Sequence, residues 1–213
     1  HGIFRMVDVP GSTAPTPVNP FMKHPEFAPI YYAEMKRLLD GPFNPVQFNP
    51  FVDSVLGGVS PAGPITTIKS FNAARHAHIT TLVPLAISVT NSQTTGGVAL
   101  PVVSGYPQSN SPACRLIGRA HAVDTRSVKV DGALATWSAW QGQWTADNVA
   151  LTPGVNRILV HAFDANAAEI ERAYHSVWYD DGTETVAPAS IASNTNWTAL
   201  GGPYPVSAAL SIA

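Results

Sequence analysis

Residues 65–90 read ITTIKSFNAARHAHITTLVPLAISVT, and the character of the chain changes within this stretch, at Pro84. Before Pro84 apolar residues recur at helical spacing, whereas after it short alternating segments are rich in Gly, Thr and Trp. Proline ends a helix because it lacks an N–H donor and restricts the residue that precedes it. The sequence therefore predicts an α+β chain, with a small helical module at residues 1–84 and β structure from residue 85 onward.

Three helices are predicted in the first module, over residues 25–40, 46–56 and 65–82. The second and third helices are each expected to place one apolar side against the module, and these sides comprise Phe51, Val52, Val55 and Leu56, and Ile68, Phe71, Ile79 and Leu82. Residues 10–20, PGSTAPTPVNP, predict an extended path because they are rich in proline. His78 is expected to be buried and hydrogen-bonded.

The second module, residues 85–181, is predicted to be an immunoglobulin-like β-sandwich. Short strand patterns recur at 87–90, 114–120, 127–132, 143–146, 148–152, 156–163 and 169–179. Alternation within 156–163 assigns Ile158, Val160 and Ala162 to the inward face. Residues 182–213 are predicted to be a β tail or the start of a further β unit, so we expect the chain to belong to a larger, multi-domain protein.

Charged residues make up 12% of the 213-residue chain, and the formal net charge is −2. A chain without a polybasic face is a poor partner for nucleic acid or for an anionic membrane. No apolar run approaches about 18 residues, so no membrane span is predicted. The single cysteine, Cys114, excludes an internal disulfide and is expected to be an ordinary strand residue. This composition favours an extracellular or cell-surface location.

Two stretches of the helical module carry a family resemblance. Residues 19–58, NPFMKHPEFAPIYYAEMKRLLDGPFNPVQFNPFVDSVLGG, and residues 68–84, IKSFNAARHAHITTLVP, resemble the C-terminal helical part of CotH-type proteins, a spore-coat family with an atypical kinase fold. The resemblance implies that nucleotide- and metal-binding residues would lie on a preceding lobe. The kinase members of this family have an element with two acidic residues, whereas near its start this chain has only Asp8. Phosphoryl transfer needs a nucleotide clamp, a metal site and a base together. We therefore do not expect a working kinase.

A second resemblance covers part of the β module. Residues 128–137, VKVDGALATW, and residues 150–169, ALTPGVNRILVHAFDANAAE, are similar to hairpins of bacterial immunoglobulin-like repeats. Ala167 stands where those repeats commonly have glycine. The resemblance implies a β-sandwich of the same kind that the strand patterns predict.

Metal-ligating residue types are scattered along the chain. His161 and His175 lie on predicted strands, and with Asp164 or Asp180 they could form a zinc or calcium site. A loop with Asp164, Asn166 and Glu169 is a second calcium hypothesis. His76 and His78 lie about 200° apart around a helix and cannot chelate one ion together. If His1 is the mature N-terminus, its α-amine and its imidazole could bind copper together with a second histidine.

Aromatic and acidic residues supply the remaining hypotheses. Trp137, Trp140 and Trp144 are candidates to stack on sugar rings. The alternative is that Trp137 and Trp144 pack across a hairpin and that Trp178 fills the sandwich core. Glu169 and Glu171 are expected to share one strand face as solvated residues, which is a poor arrangement for a glycosidase. The pattern assigns no catalytic residue.

Three functions stay open at this point. The first is a noncatalytic spacer or binding segment of a larger extracellular CotH-like protein, with neighbouring domains as partners. The second is a metal-dependent hydrolase of esters or phosphoesters, with a His/Asp site between the two modules. The third is a glycan-binding module that uses its tryptophans.

Overall fold

The computed structural model describes residues 21, 23–183, 186–198, 202, 204, 206 and 208–212. The expectations for His1, for Asp8 and for residues 10–20 lie outside these residues. The described chain combines helices with sheets, which confirms the predicted α+β class. The pattern of contacts between residues divides the chain into two units. The N-terminal segment of the first unit ends at Leu85.

The helical unit contains three helices, α1 (Phe27–Asp40), α2 (Pro45–Leu56) and α3 (Ala62–Leu82). At the end of α1 the backbone N–H of Gly41 donates a hydrogen bond to the carbonyl oxygen of Arg37. The side chain of Asn44 accepts a bond from the amide of Val46 and caps α2, which begins with a proline that needs no N–H partner. All three helices lie within about three residues of the ranges that the sequence predicts.

This unit also includes residues 121–124 and 138–142. Its buried cluster is small and consists of Tyr32, Leu39, Val83 and Ala122. The Tyr32 hydroxyl donates to the carbonyl oxygen of Trp140 at 2.9 Å. A phenol that buries its ring needs such a partner for its O–H, so this bond fixes residues 138–142 against α1.

The predicted apolar faces of α2 and α3 are largely uncovered. Val52 is the buried residue of α2, while Phe51 is 63% exposed and Val55 54% exposed. Phe71 of α3 is 67% exposed. The prediction that these faces are buried is therefore wrong for Phe51 and Val55 of α2 and for Ile68 and Phe71 of α3. Periodicity identifies an apolar side but not whether anything covers it.

The second unit is built from β-strands. Its strands are β1 (Ser88–Gln93), β2 (Val102–Val103), β3 (Tyr106–Ser109), β4 (Ala113–Arg119), β5 (Ser127–Val130), β6 (Ala133–Leu134), β7 (Thr136–Ser138), β8 (Gln143–Ala150), β9 (Gly154–Phe163), β10 (Glu169–Tyr179), β11 (Ser190–Ile191) and β12 (Ser211–Ile212). Residues 143–152, predicted as two strands, contain the single strand β8. Its pairing with β4 shifts by one residue near Asn148, whose φ is 55°.

Two sheets form the sandwich. One has the order β1-β4-β8-β7, and the other has the order β2-β3-β10-β9-β5-β6. With β1, β4, β5, β7, β8, β9 and β10 taken as strands A to G, these orders contain the A-B-E-D and C-F-G sheets of an immunoglobulin domain. β3 runs parallel to β10 and extends the second sheet, while β11 and β12 pair separately.

The sandwich core fills the space between the two sheets. Trp144 and Leu116 come from the four-stranded sheet and are fully buried, and Ile158 and Val160 come from β9 and are 1% and 0% exposed. The inward alternation predicted for residues 156–163 is therefore confirmed. Cys114 is also fully buried, and this burial raises the pKa of its thiol to about 11. A thiol in this state is an inert core residue.

Candidate functional site

The structure places His161 and His175 on opposite faces of the six-stranded sheet. His161 pairs with Arg172 across β9 and β10, whereas His175 pairs with the inward-facing Ile158. Arg172 and His175 are an odd number of residues apart, so their side chains point to opposite sides of the strand. The two histidines therefore do not converge on one ion.

The two aspartates predicted as metal ligands lie at opposite ends of β10. Asp164 precedes this strand, and its Oδ1 accepts bonds from the amides of Asn166 and Ala168 at 2.8 and 2.9 Å. Asp180 follows the strand, and its Oδ2 accepts a bond from Gln108 Nε2 at 2.7 Å. The strand between them spans roughly 35 Å. Within the described parts of the chain, no three His, Cys, Asp or Glu side chains cluster as metal ligands do.

The three tryptophans of the glycan hypothesis have different surroundings. Trp144 is completely buried, and its indole N–H donates to the carbonyl of Arg119 at 3.1 Å. Trp137 is partly buried against the sandwich core. Trp140 belongs to the helical unit, where Lys23 Nζ lies 4.6 Å from its ring centre. Trp144 offers no ring face to a ligand, so these residues do not form one platform.

A different group of side chains shares the outer face of the six-stranded sheet. Lys129 of β5 pairs with His161 of β9, and His161 pairs with Arg172 of β10, so the three form one row across three strands. Directly paired residues on antiparallel strands point to the same side of a sheet. We define the cationic face as the following six residues on this side of the sheet: Lys129, Arg157, His161, Phe163, Arg172 and Tyr174.

Aromatic rings and cations alternate on the cationic face. The Arg157 guanidinium lies 3.9 Å from the centre of the Tyr174 ring, and Lys129 Nζ lies 5.2 Å from that of Phe163. The His161 ring stacks on Phe163 with an interplanar angle of 13°. A cation above a ring face is held by the electron density of that face. These contacts therefore favour one position for long side chains that would otherwise move freely.

Carboxylates neutralise only part of the cationic face. Glu169 accepts bonds from His161 Nδ1 at 2.8 Å and from Arg172 Nε, and these two bonds lower the pKa of Glu169. Asp131 follows the last residue of β5, and its Oδ1 accepts a hydrogen bond from the backbone N–H of Leu159. Within the described residues, Lys129 and Arg157 form no ion pair with a carboxylate. These two cations are available to a ligand.

The inner side of the same hairpin carries a separate set of polar contacts. The pairing of β9 with β10 shifts between Glu169 and Glu171, which leaves an extra residue on β10. This bulge turns Glu171 inward, where its Oε2 accepts a hydrogen bond from the backbone N–H of Ile87 at 2.6 Å. The prediction that Glu169 and Glu171 share one solvated face is therefore wrong, because a β-bulge reverses the alternation that it interrupts.

His175 forms the second contact on the inner side. Its Nε2 lies 2.7 Å from the Ser92 hydroxyl, and Ser92 is 8% exposed. Burial lowers the pKa of His175. A buried serine and a neutral histidine satisfy each other in this arrangement, which connects β1 to β10. It is a structural contact between the sheets, and its serine is too buried to meet a substrate.

The helical unit contains a cavity of about 230 Å³ between α1 and α3. Two polar side chains in its wall already bind the backbone, since Asn72 Nδ2 donates to Phe43 O and His76 Nε2 lies 3.0 Å from Leu39 O. His76 is thus the hydrogen-bonded histidine of α3. The prediction that His78 is buried is wrong, because its side chain is exposed. The cavity wall is otherwise mainly apolar.

Comparison of the chain with protein-family models, with curated proteins and with solved structures finds no match. The described part of the chain has no helix that is both long and apolar enough to cross a membrane.

The cationic face has only a faint signal in the sequence. Arg157 and His161 alternate with the inward residues of β9, so their outward position follows from the pattern. Their alignment with Lys129 and Arg172 depends on the register of three strands, which spacing along one chain does not determine.

Proposed function

We propose that this chain is a noncatalytic binding segment of a larger extracellular protein, and that the cationic face contacts the ligand. The observation that supports this proposal most strongly is that two cations lie over aromatic rings on one solvent-facing surface of the sheet. These contacts join Arg157 to Tyr174 and Lys129 to Phe163. The similarity of residues 19–84 to the helical part of CotH-type proteins supports a place in such a protein.

A glycan is the ligand class that this surface suits best. Tyr174 is 50% exposed, so its ring combines apolar area with a hydroxyl at the rim. Sugar rings present the complementary surface, with C–H groups on their faces and hydroxyls around their edges. The platform that we propose uses Tyr174 in place of the three tryptophans, while the ring of Phe163 holds His161 and Lys129 beside it.

A metal-dependent hydrolase has weaker support. Each of the four expected ligands has a hydrogen-bond partner of its own, and His161 and His175 face opposite sides of the sheet. The binding proposal requires no rearrangement of these residues. We therefore place it ahead of the hydrolase.

Affinity electrophoresis in native gels that contain one soluble polysaccharide each tests the proposal. The panel includes neutral polymers, such as xylan and galactomannan, and an acidic one, polygalacturonate. We expect at least one polymer to retard the wild-type protein, and we expect Tyr174→Ala to lose most of that retardation. Phe51→Ala removes another exposed ring, from α2, and is the matched control that should behave as wild type. Retardation by no polymer, or equal retardation of Tyr174→Ala, would contradict the proposal.

A further inference from the structure

We infer that the cationic face selects acidic polysaccharides, in which a carboxylate projects from the sugar ring. This inference rests on the proposed function, because it specifies the ligand of the same face. Three observations carry it: Lys129 and Arg157 pair with no carboxylate among the described residues, both contact aromatic rings, and Arg172 lies in the same row as Lys129.

Arg157 supplies the most specific contact. A guanidinium that stacks on a ring uses its flat face, so its N–H donors stay free at the edge. Those donors match the two oxygens of a carboxylate, and a bidentate pair of this kind fixes both the position and the orientation of the acid. The Tyr174 ring thus orients Arg157 for a ligand acid beside the ring itself.

The row of residues across three strands extends this contact into a surface. Neighbouring strands lie about 4.8 Å apart, so the backbones at Lys129 and Arg172 lie about 10 Å apart, with His161 between them. Arg157 lies four residues from His161 along β9, which corresponds to about 13 Å. A single small anion cannot span these positions. A polymer with regularly spaced carboxylates can contact several of them at once.

The charge balance of the face favours a carboxylated glycan over nucleic acid. Glu169 and Asp131 lie beside the three cations, and the whole chain carries a formal charge of −2. A dense phosphate polymer would meet those two carboxylates as well as the cations, and binding by phosphate neutralisation requires many cations. A uronic-acid polymer has lower charge density and offers sugar faces for the exposed ring of Tyr174.

The test compares polygalacturonate with the same polymer after chemical reduction of its carboxyl groups, by affinity electrophoresis of the full chain at several salt concentrations. We expect retardation by the acidic polymer, little by the reduced polymer, and a decrease as salt screens the charges. The double variant Lys129→Gln/Arg157→Gln should weaken binding about tenfold, since each exposed charge contributes a few-fold in affinity.

Arg119→Gln is the matched control, because it removes an exposed cation from β4 in the other sheet. It should retain wild-type binding. Melting temperatures of all variants show whether a loss of binding reflects loss of fold. Arg157→Lys keeps the charge but not the planar fork, so we expect it to bind between wild type and the double variant.

The outcomes separate the two proposals. Equal retardation by the reduced and the acidic polymer would overturn the acid selectivity and leave the glycan proposal standing. Retardation by no polysaccharide at all would overturn both. Tighter retention by a single-stranded oligonucleotide than by polygalacturonate would overturn the assignment of the ligand class.

Discussion

The guanidinium of Arg157 and the ring of Tyr174 stack at 3.9 Å on neighbouring strands, outside the core of the sandwich. Neither residue contributes to the buried cluster between the sheets. Exposed contacts of this kind contribute little to folding, so their cost to stability and their effect on binding can be measured separately.

A double-mutant cycle with Arg157→Gln and Tyr174→Leu should give a coupling energy of about 0.5–1 kcal/mol in urea unfolding. The physical reason is the attraction of a cation to a ring face that water partly screens. A coupling energy near zero would mean that the two side chains do not hold each other in solution.

Glu169→Gln should strengthen binding to polygalacturonate by about two- to five-fold. The carboxylate of Glu169 bonds His161 and Arg172, so loss of its charge removes the ion pair of Arg172 and makes the cationic face more positive. Titration of the fluorescence of the protein with the polymer measures the change, and Asp40→Asn on α1 is the control for altered net charge. A weaker or unchanged affinity, with the fold intact, would show that Arg172 does not meet the ligand.

Gly118→Ala should destabilise the sandwich by about 1–3 kcal/mol or more. A Cβ at this position of β4 would overlap the carbonyl oxygen of Ser88 and the ring of Trp144. The matched variant Gly96→Ala has its nearest neighbour at 3.7 Å and should change stability by less than about 0.5 kcal/mol. Urea unfolding of both proteins provides the comparison, and equal stabilities would show that β4 and Trp144 pack less closely than described.

His175 should make the protein less stable as the pH falls below about 6.5. Burial lowers the pKa of His175 in the folded state, so the unfolded chain binds a proton first. Stability from this group is complete above the unfolded pKa, and it decreases as the pH falls until the lowered folded pKa is reached.

Unfolding by urea between pH 7.5 and pH 5 measures this dependence. His175→Gln should show a shallower slope than the wild type, whereas His78→Gln, which replaces an exposed histidine of α3, should keep the wild-type slope. The same slope in wild type and His175→Gln would show that His175 is not desolvated.

The three helices and the longer strands β1, β4, β5, β8, β9 and β10 follow from the sequence, and the reasons are local, whereas the short strands β2, β3 and β7 are not predicted. Pro84 follows the end of α3, and the alternation around Val160 identifies the inward side of β9. These signals act over a few residues, which is the range in which a pattern reports backbone conformation.

The site depends on relationships that such patterns do not contain. The register of β5, β9 and β10 brings Lys129 beside His161, and a bulge separates Glu169 from Glu171 on the two faces. Strand register is set by turn geometry and by the packing of both sheets. The exposure of Phe51 and Phe71 is likewise a tertiary property, since a periodic pattern does not show what covers a helix.

Nuclear magnetic resonance of the isotopically labelled protein during titration with a short oligogalacturonate tests the central claim most directly. We predict that the largest amide shifts cluster at residues of the cationic face, on β5, β9 and β10, and that they diminish in Lys129→Gln/Arg157→Gln. Shifts confined to the helical unit or to the four-stranded sheet, or the absence of any shift, would contradict the claim that the outer face of the six-stranded sheet is the binding surface.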